Sequence, residues 1–303
     1  MRWFACSEQT IPPGVAWLTT HERARLARLR FTKRRTEYLL RRWVGKQAAA
    51  AAIGLPSLLE DPEAPRSGRS MGSDLARASD PTWASRIAVL NHPSGAPYVE
   101  VDGRAVDLDI SLTDRAGHAV ALVGPAGSMG WGTLGVDLEI VEPRSAGFVT
   151  DFCTAAEATW VRGERAAYGP EGWDAAANLL WSAKEAALKV LGVGLRADTR
   201  TVEVVIHGSP STVDARNLLP LVPDHSGWPV AQAGWAPLRV HHDGGGVLPG
   251  WWRREGHFLL TLASREETSP PIVIPGSLDL AKAIPVHSWV ANPLADPEGR
   301  SGP

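Results

Sequence analysis

Asp137 and Glu139 alternate along Leu134-Gly135-Val136-Asp137-Leu138-Glu139-Ile140, and about 45 residues later Trp181-Ser182-Ala183-Lys184-Glu185-Ala186-Ala187-Leu188-Lys189 adds a third carboxylate between two lysines. The strict alternation of the first segment predicts a strand with both acids on one face and Val136, Leu138 and Ile140 on the other. Two carboxylates about 7 Å apart on one strand face repel each other, which stabilises no sheet but suits oxygen ligation of a hard divalent cation. The second segment reads as a helix in which Leu180, Ala187, Leu188 and Leu191 form an apolar stripe. Lys184 falls inside that stripe, and Glu185 and Lys189 sit one turn apart just off its edge. Arg35, Arg42 and Lys46, at i, i+7 and i+11, draw a basic line along an earlier helix.

Each feature has an ordinary explanation: solvated acids, a snorkelling lysine with a routine i, i+4 ion pair, and a wetted helix face. Together, three carboxylates, several lysines and arginines and no nucleophile motif describe a site for a metal-bound polyphosphate. No glycine-rich P-loop or G-x-G-x-x-G is present, so the phosphates are not expected to lie in a loop at a helix start.

The elements that must position these groups can be read in order. Gly14–Leu18 predicts a short strand, and Thr19 with Glu22 a capping box opening a helix to about Leu29. A second helix spans Lys33 to Ile53, stopped by Gly54 and Pro56. Glu60 to Pro81 has no periodicity and reads as a long loop. Strands follow at Arg86–Leu90, Pro97–Val101, Leu108–Leu112 and His118–Val123. The glycine-rich run around 124–132 marks a boundary between a first subdomain, 1–128, and a second, 129–265, which carries the acids. Thr154 and Glu157 form another capping box for a helix to about Tyr168, and Asp174 is expected to cap the lysine-bearing helix, which ends at Gly192. Strands are expected at Val202–Ile206, Leu238–His241, Trp251–Arg254 and His257–Ala263, and residues 266–303 read as a proline-rich irregular tail. Each half offers a helix pair and strands, an α+β fold with a pseudo-duplicated layout, although no residue-by-residue repeat is visible.

The chain has 303 residues and a formal net charge of −2. That balance argues against a wholesale nucleic-acid binder. Cys6 and Cys153 have no metal-ligand spacing or disulfide framework, and no apolar run reaches membrane-spanning length. A soluble cytoplasmic protein with no membrane partner is the expectation.

Gly135-Val136-Asp137-Leu138-Glu139 followed by Trp181-Ser182-Ala183-Lys184-Glu185-Ala186 resembles the paired signature of 4′-phosphopantetheinyl transferases, and the two-half layout is similar to their monomeric surfactin-synthetase-activating type. Phe152-Cys153-Thr154-Ala155-Ala156-Glu157, the basic helix around Arg35–Arg42 and Ile110-Ser111-Leu112-Thr113 extend the likeness. The resemblance implies transfer of the phosphopantetheine arm of coenzyme A to a serine of apo acyl or peptidyl carrier proteins, with release of adenosine 3′,5′-bisphosphate. It implies Mg²⁺ or Mn²⁺ on Asp137, Glu139 and Glu185, with Glu185 also taking the serine proton. Lys184 and Lys189 would offset pyrophosphate charge, Arg35, Arg42 and Lys46 would grip the 3′-phosphate end, and Ser111 and Thr113 would lie along the coenzyme. Gly95-Ala96-Pro97 and Ser111-Leu112-Thr113 stand where the family usually has Gly-Lys-Pro and Ser-His-Ser, so two phosphate contacts are missing, and Arg115 and His118 are candidates to replace them. A metal-dependent phosphohydrolase and a non-catalytic coenzyme A or nucleic-acid binding module remain the competing readings.

Overall fold

The computed structural model describes residues 1–55, 81–126, 132–211 and 234–286, without the side chain of Leu195. Most of the 60–81 loop, the centre of the 124–132 linker and the last part of the tail lie outside the described residues. The first half begins with β1 (Arg2–Ser7), then α1 (Thr20–Ala27) and α2 (Thr32–Ala52). It continues through β2 (Ile87–Asn91), β3 (Pro97–Val101), β4 (Arg104–Ala105), β5 (Leu108–Arg115) and β6 (His118–Pro125). The second half holds β7 (Leu134–Ile140), α3 (Ala146–Phe152), α4 (Ala155–Leu191), β8 (Val202–Ile206), β9 (Ala236–His242), β10 (Val247–Glu255) and β11 (Phe258–Ser264). A last strand, β12 (Ile272–Val273), follows.

Two larger sheets, ordered β12-β1-β6-β5 and β7-β11-β10-β9-β8, lie back to back, and β2-β3-β4 form a small third sheet. The period-2 alternation of the strands decides the layering. Ala119, Ala121 and Val123 of β6 turn to α2, while Val120 and Leu122 turn to Val136, Leu138 and Leu260 of the other sheet. Leu259 and Ala263 of β11 turn to α4. The fold is therefore α+β in four layers, helix–sheet–sheet–helix. Both faces of β6 and β7 are covered, which is why the run of residues in each is buried throughout except for Pro125.

The duplication invisible in the sequence shows in one buried device used twice. Thr19 and Glu22 close a capping box at the start of α1, and Thr154 and Glu157 close one at the start of α4. Each glutamate uses its spare oxygen to accept a backbone N–H from a strand, Val89 for Glu22 (3.0 Å) and Val204 for Glu157 (2.7 Å). Each also pairs with a fully buried lysine, Lys46 at 2.6 Å and Lys184 at 2.9 Å. The lysines then donate to carbonyls, Lys46 to Trp17, Ala84 and Ile87, and Lys184 to Thr199 and Val202. Each pair ties a helix start, a second helical segment and a strand together in the core.

Several elements depart from the sequence reading. Gly14–Leu18 forms no strand; Trp17 and Leu18 are apolar because they enter the core just ahead of the α1 cap, and the first strand is Arg2–Ser7. Asp174 does not cap a helix. The break falls at Gly169 (φ 73°) and Pro170, while Asp174 lies in the resumed helix and accepts the Arg144 N–H. The described part of the tail is not structureless: β12 pairs with Arg2 and Trp3 of β1, Ser277 Oγ accepts the Ala5 N–H, and Ile274 and Leu280 are buried. Ending the chain after Arg265 is expected to cost about 3–6 kcal/mol, the burial of those two side chains. Urea unfolding of the truncated protein checks this; an unchanged midpoint would show that the tail adds nothing.

Candidate active site

The seam between the sheets positions the acids. β5 and β7 form no backbone ladder with each other. Alternate side chains of β5 do that work instead: Asp109 accepts the N–H groups of Gly132 and Thr133, Ser111 Oγ that of Val136 at 3.0 Å, and Thr113 Oγ1 that of Leu138 at 3.3 Å. These bonds satisfy the outer donors of the edge strand β7. On the other side Gly135 lets β7 lie directly on α4, since a Cβ there would stand 1.9 Å from the Ala186 carbonyl oxygen. That close approach brings Asp137 beside Ser182, Glu185 and Lys189, which share one helix face at i, i+3 and i+7.

Asp137 is the hub. It is 3% exposed and accepts from Ser182 Oγ (3.0 Å), Thr113 Oγ1 (3.1 Å) and Lys189 Nζ (2.8 Å). Lys189 also donates to the Val136 carbonyl, and its side chain remains 30% exposed. Burial, the Asp137 charge, the Glu139 charge and a hydrogen bond with Asp137 push Glu185 up to about 8, against the partial offset of Lys189. Burial and Asp137 likewise raise Glu139 to about 7, although Arg115 and Arg144 pull it down.

Glu139 shares the Asp137 face of β7 but is engaged elsewhere. Its Oε2 lies 2.8 Å from Arg115 Nε and 3.6 Å from Arg144 Nη2. Both arginines also pair with Glu142, which closes a four-member ionic cluster. Arg144 is held further by Asn178 Oδ1 at 2.6 Å and rests on the Phe148 ring.

Four expected coenzyme contacts are placed differently. Lys184 is buried in an ion pair with Glu157, which accounts for its place in the apolar stripe. Lys46 is its counterpart with Glu22. Arg35 Nη1 donates to the carbonyls of Leu26 and Leu29, satisfying the end of α1. The Ser111 hydroxyl is taken up by β7. His118 also falls away from the site, since its ring lies 5.0 Å from that of Phe258 between the sheets and its Nδ1 meets the Ala116 carbonyl. Thr113, Lys189 and Arg115 remain at the acids.

Arg42 is 5% exposed. It lines a cavity of about 970 Å³ with Arg25, Arg34, Tyr38, Arg41 and Asn91. Its Nη1 donates to the Val89 carbonyl, and its guanidinium stands 5.0 Å from the centre of the Tyr38 ring. Positions 34, 38, 41 and 42 of α2 carry the i, i+4, i+7, i+8 spacing that lines the cavity, whereas Arg35 and Lys46 do not line it. Arg41 pairs with Asp114, the residue after Thr113, and Asp114 also feels the charge of Lys189. Ser182 was also legible, one turn ahead of Glu185. Arg144 was not, because it lies in an irregular connection.

The donors suit a hard cation in part. Asp137, buried, and Glu185, half-buried, crowd two carboxylates together, a charge conflict that a divalent ion relieves. Glu139 does not join them as placed, and among the described residues no three histidine, cysteine, aspartate or glutamate side chains are gathered so as to hold a metal ion. Among the described residues, too, no helix is long and apolar enough to cross a membrane. No curated protein matches the chain. A family model does: residues 133–225, which include Asp137, Glu139 and the Trp181–Lys189 helix, are similar to the 4′-phosphopantetheinyl transferase superfamily.

Proposed function

We propose that the protein transfers the 4′-phosphopantetheine arm of coenzyme A to a serine of apo acyl or peptidyl carrier proteins. One observation carries the reading: Asp137 and Glu185 lie together inside the segment similar to the family, and Arg41 of the arginine-lined cavity pairs with Asp114, next to the Thr113 that holds Asp137. The cavity suits the anionic nucleotide end of coenzyme A, with Arg25, Arg34, Arg41 and Arg42 as its cations and Tyr38 as a flat apolar wall. The pyrophosphate then lies toward Lys189.

In the reaction the carrier serine Oγ attacks the β-phosphorus, the bond from that phosphorus to the bridging oxygen breaks, and adenosine 3′,5′-bisphosphate leaves with the bond electrons. Glu185 takes the serine proton. Lys189 offsets charge on the leaving oxygen. A divalent cation, held by Asp137 and Glu185, would supply neutralisation of pyrophosphate charge. Ser182 and Thr113 keep the Asp137 carboxylate in one orientation.

The test is to incubate the protein with coenzyme A, Mg²⁺ and an apo carrier and to weigh the carrier. A gain of one phosphopantetheine is expected. Cleavage of coenzyme A without that gain would identify a hydrolase, and no change across fatty-acid, polyketide and peptide carriers would overturn the proposal. Arg42→Ala is expected to raise the coenzyme A Kd by about 10–100-fold, the worth of a charged hydrogen bond, in a calorimetric titration.

A further inference from the structure

The two oxygens of Asp137 are held by different elements. Oδ1 accepts from Thr113 Oγ1 and Lys189 Nζ, whereas Oδ2 accepts from Ser182 Oγ. Ser182 Oγ in turn lies 2.8 Å from Thr261 Oγ1. Thr261 stands directly opposite Asp137 in the β7–β11 ladder, so both side chains leave the sheet on the face that packs against α4. Its neighbours on that face of β11, Leu259 and Ala263, belong to the apolar core under the helix. Thr261 and Ser182 are fully buried. A hydroxyl in that setting costs stability unless it is hydrogen-bonded, and valine would fill the same space without that demand. Among the described residues the Thr261 hydroxyl has one partner, Ser182.

Resting on the function proposed above, we infer that Thr261 is a positioning residue for Asp137, and that it acts through Ser182 to fix the carboxylate that meets the divalent cation. The proton count orders the chain. A hydroxyl carries one proton, and an ionised carboxylate has none to give. Ser182 therefore donates to Asp137 and keeps only lone pairs for its other neighbour, so Thr261 donates to Ser182. The chain runs one way, from β11 through α4 to β7. Hydroxyls linked in one direction polarise each other, which strengthens the bond that reaches the carboxylate. Without Thr261, the Ser182 hydroxyl is free to turn to the carbonyl one turn back in its own helix, a common resting place for a helical serine. Asp137 would then keep its Oδ1 donors and lose the one on Oδ2.

Thr261→Val removes the hydroxyl at nearly constant volume. Mn²⁺ is titrated into equimolar protein and coenzyme A without a carrier, and the protein-bound ion is followed by electron paramagnetic resonance. Ser182→Ala is expected to raise the Mn²⁺ Kd about 10–100-fold, the usual effect of removing a hydrogen-bond partner from a metal-binding carboxylate, and Thr261→Val to raise it about tenfold. Thr261→Ser, which restores the hydroxyl, should return the Kd to within about twofold of wild type. In the Ser182→Ala background Thr261→Val should add nothing, because its only route to Asp137 is gone. In carrier modification the same variants should lower kcat about tenfold and leave the coenzyme A KM near wild type, a split that loosened packing would not produce. The urea midpoint serves as the folding control, and Thr261→Ala reads the same loss should the valine variant fail to fold. An unchanged Mn²⁺ Kd in Thr261→Val overturns the inference, as does an effect that serine does not rescue or one that persists without Ser182. A wild-type protein that modifies the carrier yet binds no Mn²⁺ overturns this inference alone, whereas one that modifies no carrier overturns the functional reading and this inference with it.

Discussion

Replacing Lys184 by alanine is expected to cost about 3–5 kcal/mol of folding stability, the usual penalty for leaving one member of a buried ion pair alone. Glu157 would then be a charged carboxylate at 2% exposure, with only the Thr154 and Val204 N–H groups left to it. The carbonyls of Thr199 and Val202 would lose their donor as well. Urea unfolding reads the loss directly. A second variant separates packing from charge: Lys184→Met with Glu157→Gln keeps volume and removes both charges, and should recover most of the stability. Were Lys184 a phosphate contact, alanine would leave the unfolding midpoint near the wild-type value and weaken coenzyme A binding instead. That outcome would return Lys184 to the site and leave the internal duplication without its second buried pair.

Asp137→Asn is expected to lower phosphopantetheine transfer by at least a thousandfold while leaving most of the stability in place. The amide keeps the shape of the side chain and can still accept from Thr113 or Ser182, but it loses the charge that holds Lys189. It also removes the repulsion that raises Glu185, so the proton-accepting group and its neighbouring cation both change. A thousandfold loss corresponds to about 4 kcal/mol of transition-state stabilisation. Single-turnover transfer to an apo carrier measures it, with the unfolding midpoint as the control. Activity within tenfold of wild type would remove Asp137 from the chemistry.

The central strand and helix were readable because each obeys a local period. Asp137 and Glu139 alternate with residues that enter the sheet–sheet core, and Glu185 and Lys189 share a helix face with Ser182. The capping boxes at Thr19 and Thr154 were equally legible, since a box is complete within four residues. Their lysines were not: Lys46 and Lys184 lie 24 and 27 residues beyond their glutamates, and nothing short-range marks a charge as buried. The Lys184 anomaly was visible, but its partner Glu157 in the core was not. β1 escaped notice because Trp3, Phe4, Ala5 and Cys6 are all buried, which leaves no alternation to detect. Ser111 and Thr113 entered through the family resemblance, and nothing local in the sequence showed that their hydroxyls would also take the outer N–H groups of a neighbouring strand.

The pairing of Ile272–Val273 with β1 also sets an order of events during synthesis. The first sheet takes its outermost strand from a segment that the ribosome makes about 150 residues after β6 is finished. At roughly 5–20 residues per second the emerging first half waits on the order of 10–30 s with the β1 edge uncovered. During that interval its unpaired backbone groups are open to any extended chain nearby. A nascent chain stalled near residue 200 should therefore be cut by protease within the first half, and one stalled far enough on to expose residue 286 should resist.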